Sequence, residues 1–347
     1  MTERRAAAER YDVRGIHPLL RYATASDRYA AWIGQVYPRE RWAGEVQTRR
    51  KRVGRETFEE RLLPVASVED YFLHFGSLEL DFPYYRPLLD AQGKPSPGLF
   101  TLEHYAEHAP PRARFLLKAP QAFLARRLRR TGADGRVVWA ENPSCLDARA
   151  FTRQFAEPAA RTLGAKLGGI ILEQEYARVR ESPTPEAFVA ELDRFFADVP
   201  EGLPYHLEIR SPHLLTPAYF DLLERRGLGF VFSHWTWLPP LREQWRLAGE
   251  RFSAADGQAI LRLLNPREMS YDEAFAHAYP FERAAPALAG TPQARQMIDE
   301  ATALAYKAVE AGVTLHTVCN NRAWGNSPDL ARTLAHRFLD FAERRGA

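Results

Sequence analysis

Read from its first residue, the chain alternates between two hydrophobic patterns. Short β-rich runs, brief and apolar, are followed by longer stretches whose apolar residues recur at helical spacing. Eight runs read as strands: Leu20–Thr24, Ser77–Phe82, Arg114–Lys118, Gly169–Gln174, Tyr205–Arg210, Gly229–His234, Ala259–Leu264 and Val313–Asn320. The later ones are apolar on both faces, as strands of a parallel sheet covered on both sides should be. Between them, Phe151, Phe155, Ala159 and Leu163 share one helix face. Thr184-Pro185 and Thr216-Pro217 each place a capping hydroxyl before a first-turn proline. The longest helical stretches are Gln293–Ala311, stopped by Gly312, and Asp329–Arg344.

Strand then helix, eight times over, with a helix last, predicts a single-domain (β/α)8 TIM barrel. A doubly wound open sheet is the alternative, but it usually carries a glycine-rich turn after its first strand. None is present. The connections Thr131–Asp147 and Asn265–Thr291 follow strands, which places them above the barrel mouth. Residues 1–14 are charged, lack an apolar stripe and are expected to be a flexible lead-in to a barrel over 15–347.

Composition narrows the setting. The opening has no hydrophobic leader core, and no run of 18 apolar residues occurs, so secretion and membrane spanning are disfavoured. Cys145 and Cys319 are too few for a disulfide framework or a cysteine-built metal site, and a reducing cytosol fits best. With 47 basic and 44 acidic residues the net charge is +3, so composition does not demand a nucleic-acid partner. Only Lys51, Lys94, Lys118, Lys166 and Lys307 are lysines in this Arg-biased chain. Each surviving ammonium is therefore a candidate for chemistry a guanidinium cannot do.

In a barrel the C-terminal strand ends converge on one cavity. Here they carry Glu79 and Asp81, Lys118, Glu173 and Gln174, Glu208 and Arg210, His234 and Trp235, Arg262, and Asn320 with Asn321. Charge is costly to bury unpaired, so polar tips above apolar strand bodies suggest a site.

Several motifs support a family resemblance. Trp32-Ile33-Gly34-Gln35-Val36-Tyr37-Pro38 and Leu78-Glu79-Leu80-Asp81-Phe82-Pro83-Tyr84-Tyr85-Arg86 are two of them. Leu163-Gly164-Ala165-Lys166-Leu167-Gly168, Leu207-Glu208-Ile209-Arg210 and Asn320-Asn321-Arg322-Ala323-Trp324-Gly325-Asn326-Ser327-Pro328 follow in order. Together, from about Leu20 to Phe341, they resemble the domain-of-unknown-function 72 (YecE-like) family. That resemblance implies a TIM barrel and no settled activity. Three stretches depart from the family pattern: Ala23–Asp27, Phe123–Arg127 and Glu173–Tyr176. They sit at the expected site, so the ligand can differ from that of other members.

The residues themselves support three functional readings. The first is a metal-independent hydrolase with no cofactor, acting on a polar sugar- or phosphate-bearing small molecule. Glu208 would be its acid or base, with Glu79 and Glu173 as partner carboxylates. Arg210, Lys118, Arg262, Asn320, Asn321 and Arg322 would hold anionic or hydroxyl groups, and Asp81, Tyr85, His234 and Trp235 would complete the lining. Glu208 and Arg210 leave one strand face together, which fits equally a structural ion pair. A pair of carboxylates at glycosidase spacing would favour sugar hydrolysis.

The second reading is a divalent-metal phosphodiesterase or nuclease using His206, His234 and carboxylates. In its support, Arg49-Arg50-Lys51-Arg52 and the arginines of 126–130 could rim the mouth. Against it, metal-ligand spacing is unconvincing. His104-Tyr105-Ala106-Glu107-His108 matches a zinc motif, but it precedes a strand and falls on the outer ring. The third reading is a ligand-binding protein without chemistry.

Overall fold

A computed structural model describes residues 2–131 and 136–345. It contains twelve strands: β1 Leu20–Thr24, β2 Gln47–Val53, β3 Glu56–Leu62, β4 Leu78–Leu80, β5 Phe115–Lys118, β6 Arg127–Thr131, β7 Val137–Glu141, β8 Leu167–Gln174, β9 Tyr205–Ile209, β10 Gly229–His234, β11 Gln258–Leu263 and β12 Thr314–Cys319. Eight of them form one sheet in the order β1-β12-β11-β10-β9-β8-β5-β4, every pair parallel. A parallel bridge between Ala25 and Glu79 joins its two ends, so the sheet is a nearly closed barrel. These are the eight runs read from the hydrophobic pattern, shifted by a residue or two at some ends.

The helices wrap the barrel as their caps dictate. Thr184, Thr216 and Thr291 each accept a backbone N–H from the first turn, at 3.3, 3.4 and 3.0 Å, ahead of a proline. The helical stretch from Ala148 to Leu163 widens into a π-helical turn over Thr152–Ala156. Phe151, Phe155, Ala159 and Leu163 are buried against the barrel, as their spacing predicts.

Inside the barrel, side chains form three levels. Near the strand starts lie Ser77, His206, Gln258 and His316, joined in part by Ser77–His316 and His316–Gln258 hydrogen bonds of 2.8 Å. Above them Ala23, Leu116, Ile171, Val231, Ile260 and Val318 make a small apolar cluster. The charged level at the strand ends comes next.

Four features lie outside those eight runs. The Arg-rich stretch after β1 is an antiparallel hairpin, β2–β3, and the stretch after β5 is another, β6–β7. Part of the second falls within the expected Thr131–Asp147 connection, whose residues 132–135 lie outside the described residues. The Asn265–Thr291 connection contains helices Tyr271–Ala278 and Pro286–Ala289. Finally, the lead-in expected to be flexible carries a helix, Thr2–Glu9. Arg5 ties it to Asp340 and Glu343 of the last helix at 2.8 and 2.6 Å, and Ala8 is buried. Among the described residues no helix is long and apolar enough to cross a membrane.

Candidate active site at the barrel mouth

Because strand side chains alternate between faces, the inward set at the C-terminal ends is fixed by parity. It brings Glu79, Lys118, Glu173, Glu208, Ser233 and Arg262 together. Arg262, 3% exposed, lies at the centre. Its Nε and Nη2 donate to the two oxygens of Glu79 at 2.7 and 2.8 Å, a bidentate pair. Its Nη1 donates to Glu208 and lies 3.4 Å from Glu173. One guanidinium therefore fills the space among three buried carboxylates.

Glu173 is the most heavily paired of the three. Its Oε2 takes Lys118 Nζ at 2.7 Å and Arg210 Nη2 at 2.8 Å, besides Arg262. Burial works to raise its pKa, but Arg210, Lys118 and Arg262 outweigh burial and hold the carboxyl well below the usual carboxylate range. Its Oε1 accepts no hydrogen bond from the described residues. Glu208 has no exposed surface, and both of its oxygens are engaged, one by the Ser233 hydroxyl and one by Arg262. Arg210 bridges Glu173 and Glu208, lying 3.5 Å from the latter.

Two cations face the mouth across aromatic walls. Lys118 Nζ sits 3.9 Å from the centre of the Tyr84 ring, and the Arg210 guanidinium 4.8 Å from that of Trp235. Tyr84 in turn donates to Glu175 at 2.8 Å, and Gln121 donates to the same oxygen. Burial, together with the Glu173 and Glu175 charges, pushes the Tyr84 hydroxyl upward, so it remains a donor.

The remaining expected residues divide. Arg322 stacks on Tyr271 at 4.4 Å and donates to Asn265 at 3.1 Å. Asp81 and Tyr85 are exposed at the two ends of the short helix Phe82–Tyr85 after β4, and their side chains make no hydrogen bond with the described residues. His234, Asn320 and Asn321 serve the backbone. His234 bonds the Asn265 carbonyl at 2.8 Å, and burial lowers its pKa to about 4, so the ring is neutral at pH 7. Asn320 caps the short helix Asn321–Trp324 through the Arg322 N–H at 3.0 Å, and Asn321 accepts the Ser327 N–H at 2.7 Å. Gln174 accepts the backbone N–H groups of Arg210 and Ser211 at 3.1 and 3.2 Å.

Tyr84, Ser233, Glu175 and Asn265 were not anticipated. Parity would have found Ser233, since an inward Arg262 and Glu208 require position 233 rather than 234 of β10 to face them. His206 lies lower in the barrel than the charged level. Among the described residues no group of three His, Cys, Asp or Glu side chains is arranged to hold a metal ion. The zinc-like motif stands on helix Pro97–His108, where His108 pairs with Glu69 at 3.1 Å.

The family model described as "Protein of unknown function DUF72" matches residues 48–344. The chain belongs to the DUF72 family. Its fold agrees with solved DUF72 structures. A DUF72 protein from Thermotoga maritima is 17% identical, with a TM-score of 0.54 over 93% of this chain and 99% of that one. A DUF72 protein from Enterococcus faecalis is 11% identical, with a TM-score of 0.55 over 92% and 95%. At such identities the likeness concerns the fold alone. No curated protein matches the chain. Within this DUF72 barrel the resemblance motifs separate by role. Glu79 and Glu208 anchor Arg262, whereas the asparagines of the Asn320–Pro328 loop hold the loop itself.

Proposed function

We propose that this protein is a metal-independent hydrolase acting on an anionic, hydroxyl-bearing small molecule such as a sugar phosphate, with Glu173 as the base. The observation that carries the reading is the crowding of Lys118, Arg210 and Arg262 onto one oxygen of Glu173, beside an oxygen that accepts no hydrogen bond from the described residues. In the free protein those cations make Glu173 a weak base. An incoming phosphate or carboxylate competes for Lys118 and Arg210. Once they turn to the ligand, burial dominates and the pKa of Glu173 rises toward the range of a working base. Glu173 then takes a proton from water as the water oxygen attacks the ester. The ester bond breaks, the departing alkoxide takes that proton back from Glu173, and Lys118 and Arg210 stabilise the charge that develops in between. Tyr84 and Trp235 supply walls on which a sugar ring can stack.

Glu208 and Glu79 act through Arg262 in this scheme. Arg262 occupies the gap between carboxylates that a glycosidic bond would need, which weighs against a two-carboxylate glycosidase.

The test is a calorimetric and turnover screen of sugar phosphates and simple phosphate esters. For a compound found to turn over, Glu173→Gln should lower kcat by about 100-fold or more while binding persists. Lys118→Met should raise Kd. Undiminished turnover by Glu173→Gln would overturn the assignment. The saturation of Glu79 and Glu208 also favours a second reading, binding without chemistry, in which the ligand is recovered unchanged.

A further inference from the structure

The strands that send carboxylates into the barrel send apolar side chains outward. Leu172 flanks Glu173 on β8, and Leu207 and Ile209 flank Glu208 on β9. The layer between such strands and the surrounding helices is ordinarily close-packed. Here it holds a cavity of about 570 Å³. Its far wall is Phe188 and Leu192 of the helix Pro185–Asp198, and Leu214 lies on the turn after β9. All six of these side chains are at least nine-tenths buried. Trp139 of the β6–β7 hairpin lines the outer side, itself 54% exposed.

One side of this cavity leads to the charged site. Gln174, Glu175, Tyr176 and Ala177, which line it, follow Glu173 directly in sequence. Glu175 accepts the Tyr84 hydroxyl, and the Tyr84 ring carries Lys118. One hydrogen bond and one cation–ring contact thus connect the wall of the apolar cavity to a cation of the proposed site. Its volume falls within the ordinary range for small-molecule sites, and its apolar floor is rimmed by Arg127 and Glu141 of the hairpin, by Gln174 and Glu175 after Glu173, and by Glu181 and Ser182 of the next loop. That is the shape and chemistry of a receptacle for an amphiphile.

We propose that the cavity beneath the β6–β7 hairpin binds the apolar part, such as an alkyl or acyl chain, of an amphipathic small molecule whose anionic end reaches Lys118 and Arg210. The second half of that statement rests on the proposed function; the first does not. Substrates would then be esters carrying both an anionic group and a medium-length chain.

The experiment uses the full chain and two soluble probes, octanoate and octanol, measured by isothermal titration calorimetry. Both should bind. Ala177→Trp and Ser182→Trp each place bulk at the cavity wall and should weaken both probes by roughly tenfold or more, the scale of losing a few buried methylenes. Ser182 is the fallback on the exposed loop should Ala177→Trp disturb folding, which thermal unfolding would reveal. Lys118→Met should weaken octanoate but leave octanol unchanged. Failure of octanol to bind, or equal binding by a folded Trp variant and the unmodified protein, would overturn the cavity site. Octanol binding that the Trp variants abolish, combined with octanoate binding indifferent to Lys118→Met, would keep the cavity and remove the anionic subsite.

Discussion

The barrel has polar groups at both ends of its interior, and the two ends handle burial in opposite ways. At the strand starts His206 and His316 have no exposed surface and are kept uncharged, with pKa values lowered by burial to about 4 and about 3. At the strand ends Glu79, Glu173 and Glu208 are equally inaccessible, and cations surround them. Neutralising a group costs little when its pKa is already near 7, so histidine suits the closed end. Pairing charges inside a barrel costs desolvation that a hydrophobic filling would avoid. A level built that way stabilises the fold poorly for what it costs, in keeping with the binding role proposed above.

Breaking the charged level should have the largest effect. Arg262→Met leaves three buried carboxylates without their shared partner and should destabilise the protein by about 3–5 kcal/mol, read from urea unfolding at pH 7. If its unfolding midpoint matches that of the unmodified protein, the carboxylates have found other partners and the central role of Arg262 is wrong.

The closed end should respond to acid. Unfolded histidine titrates near 6.5, whereas folded His206 and His316 titrate near 4 and 3. Between those limits the unfolded chain binds more protons, so stability is fully present above about pH 6.5 and is lost as pH falls toward 4. Each ring contributes up to about 3 kcal/mol across that window. Asp27, fully buried outside the barrel interior with Tyr105 donating at 2.8 Å, has the reverse sign. Burial raises its pKa to about 6, so it favours folding below pH 4 and loses that contribution as pH rises through 6. Urea unfolding between pH 4 and 7 should therefore show His316→Asn with a flatter profile and Asp27→Asn with a steeper one. Unchanged slopes in both variants would mean the assignments are mistaken.

A smaller effect sharpens the same contrast. A Cβ at Gly229 would lie 1.9 Å from His206 Nδ1. Gly229→Ala should cost about 1–3 kcal/mol by displacing the ring, while leaving ligand binding at the mouth unaltered. Weakened binding in that variant would show that the two levels are coupled.

How much of this was legible beforehand depended on burial. The eight barrel strands announced themselves because each is a short, β-rich and largely buried run followed by a stretch of helical spacing. The β2–β3 hairpin did not, since Arg49, Arg50 and Arg52 are exposed and its apolar contact with the helix Tyr271–Ala278 comes from Val53 and Phe58. Its one local signal was Gly54, at φ +58°, opening a two-residue turn between paired Val53 and Glu56. At the site, residue types were readable but partners were not. Reading the last polar residue of a strand selected His234 over Ser233, because sequence gives a strand's end less surely than its parity. That a single arginine would fill the space among three glutamates depends on distances between strands, which no local pattern encodes.

The apolar cluster of Ala23, Leu116, Ile171, Val231, Ile260 and Val318 has one more consequence. It closes the barrel below the charged level and makes the site a blind well. Whatever the charged level takes up must enter and leave by the mouth, so arrival and departure cannot overlap. On the hydrolase reading proposed above, turnover in such a well is strictly sequential, and a product that lingers at the rim inhibits its own formation.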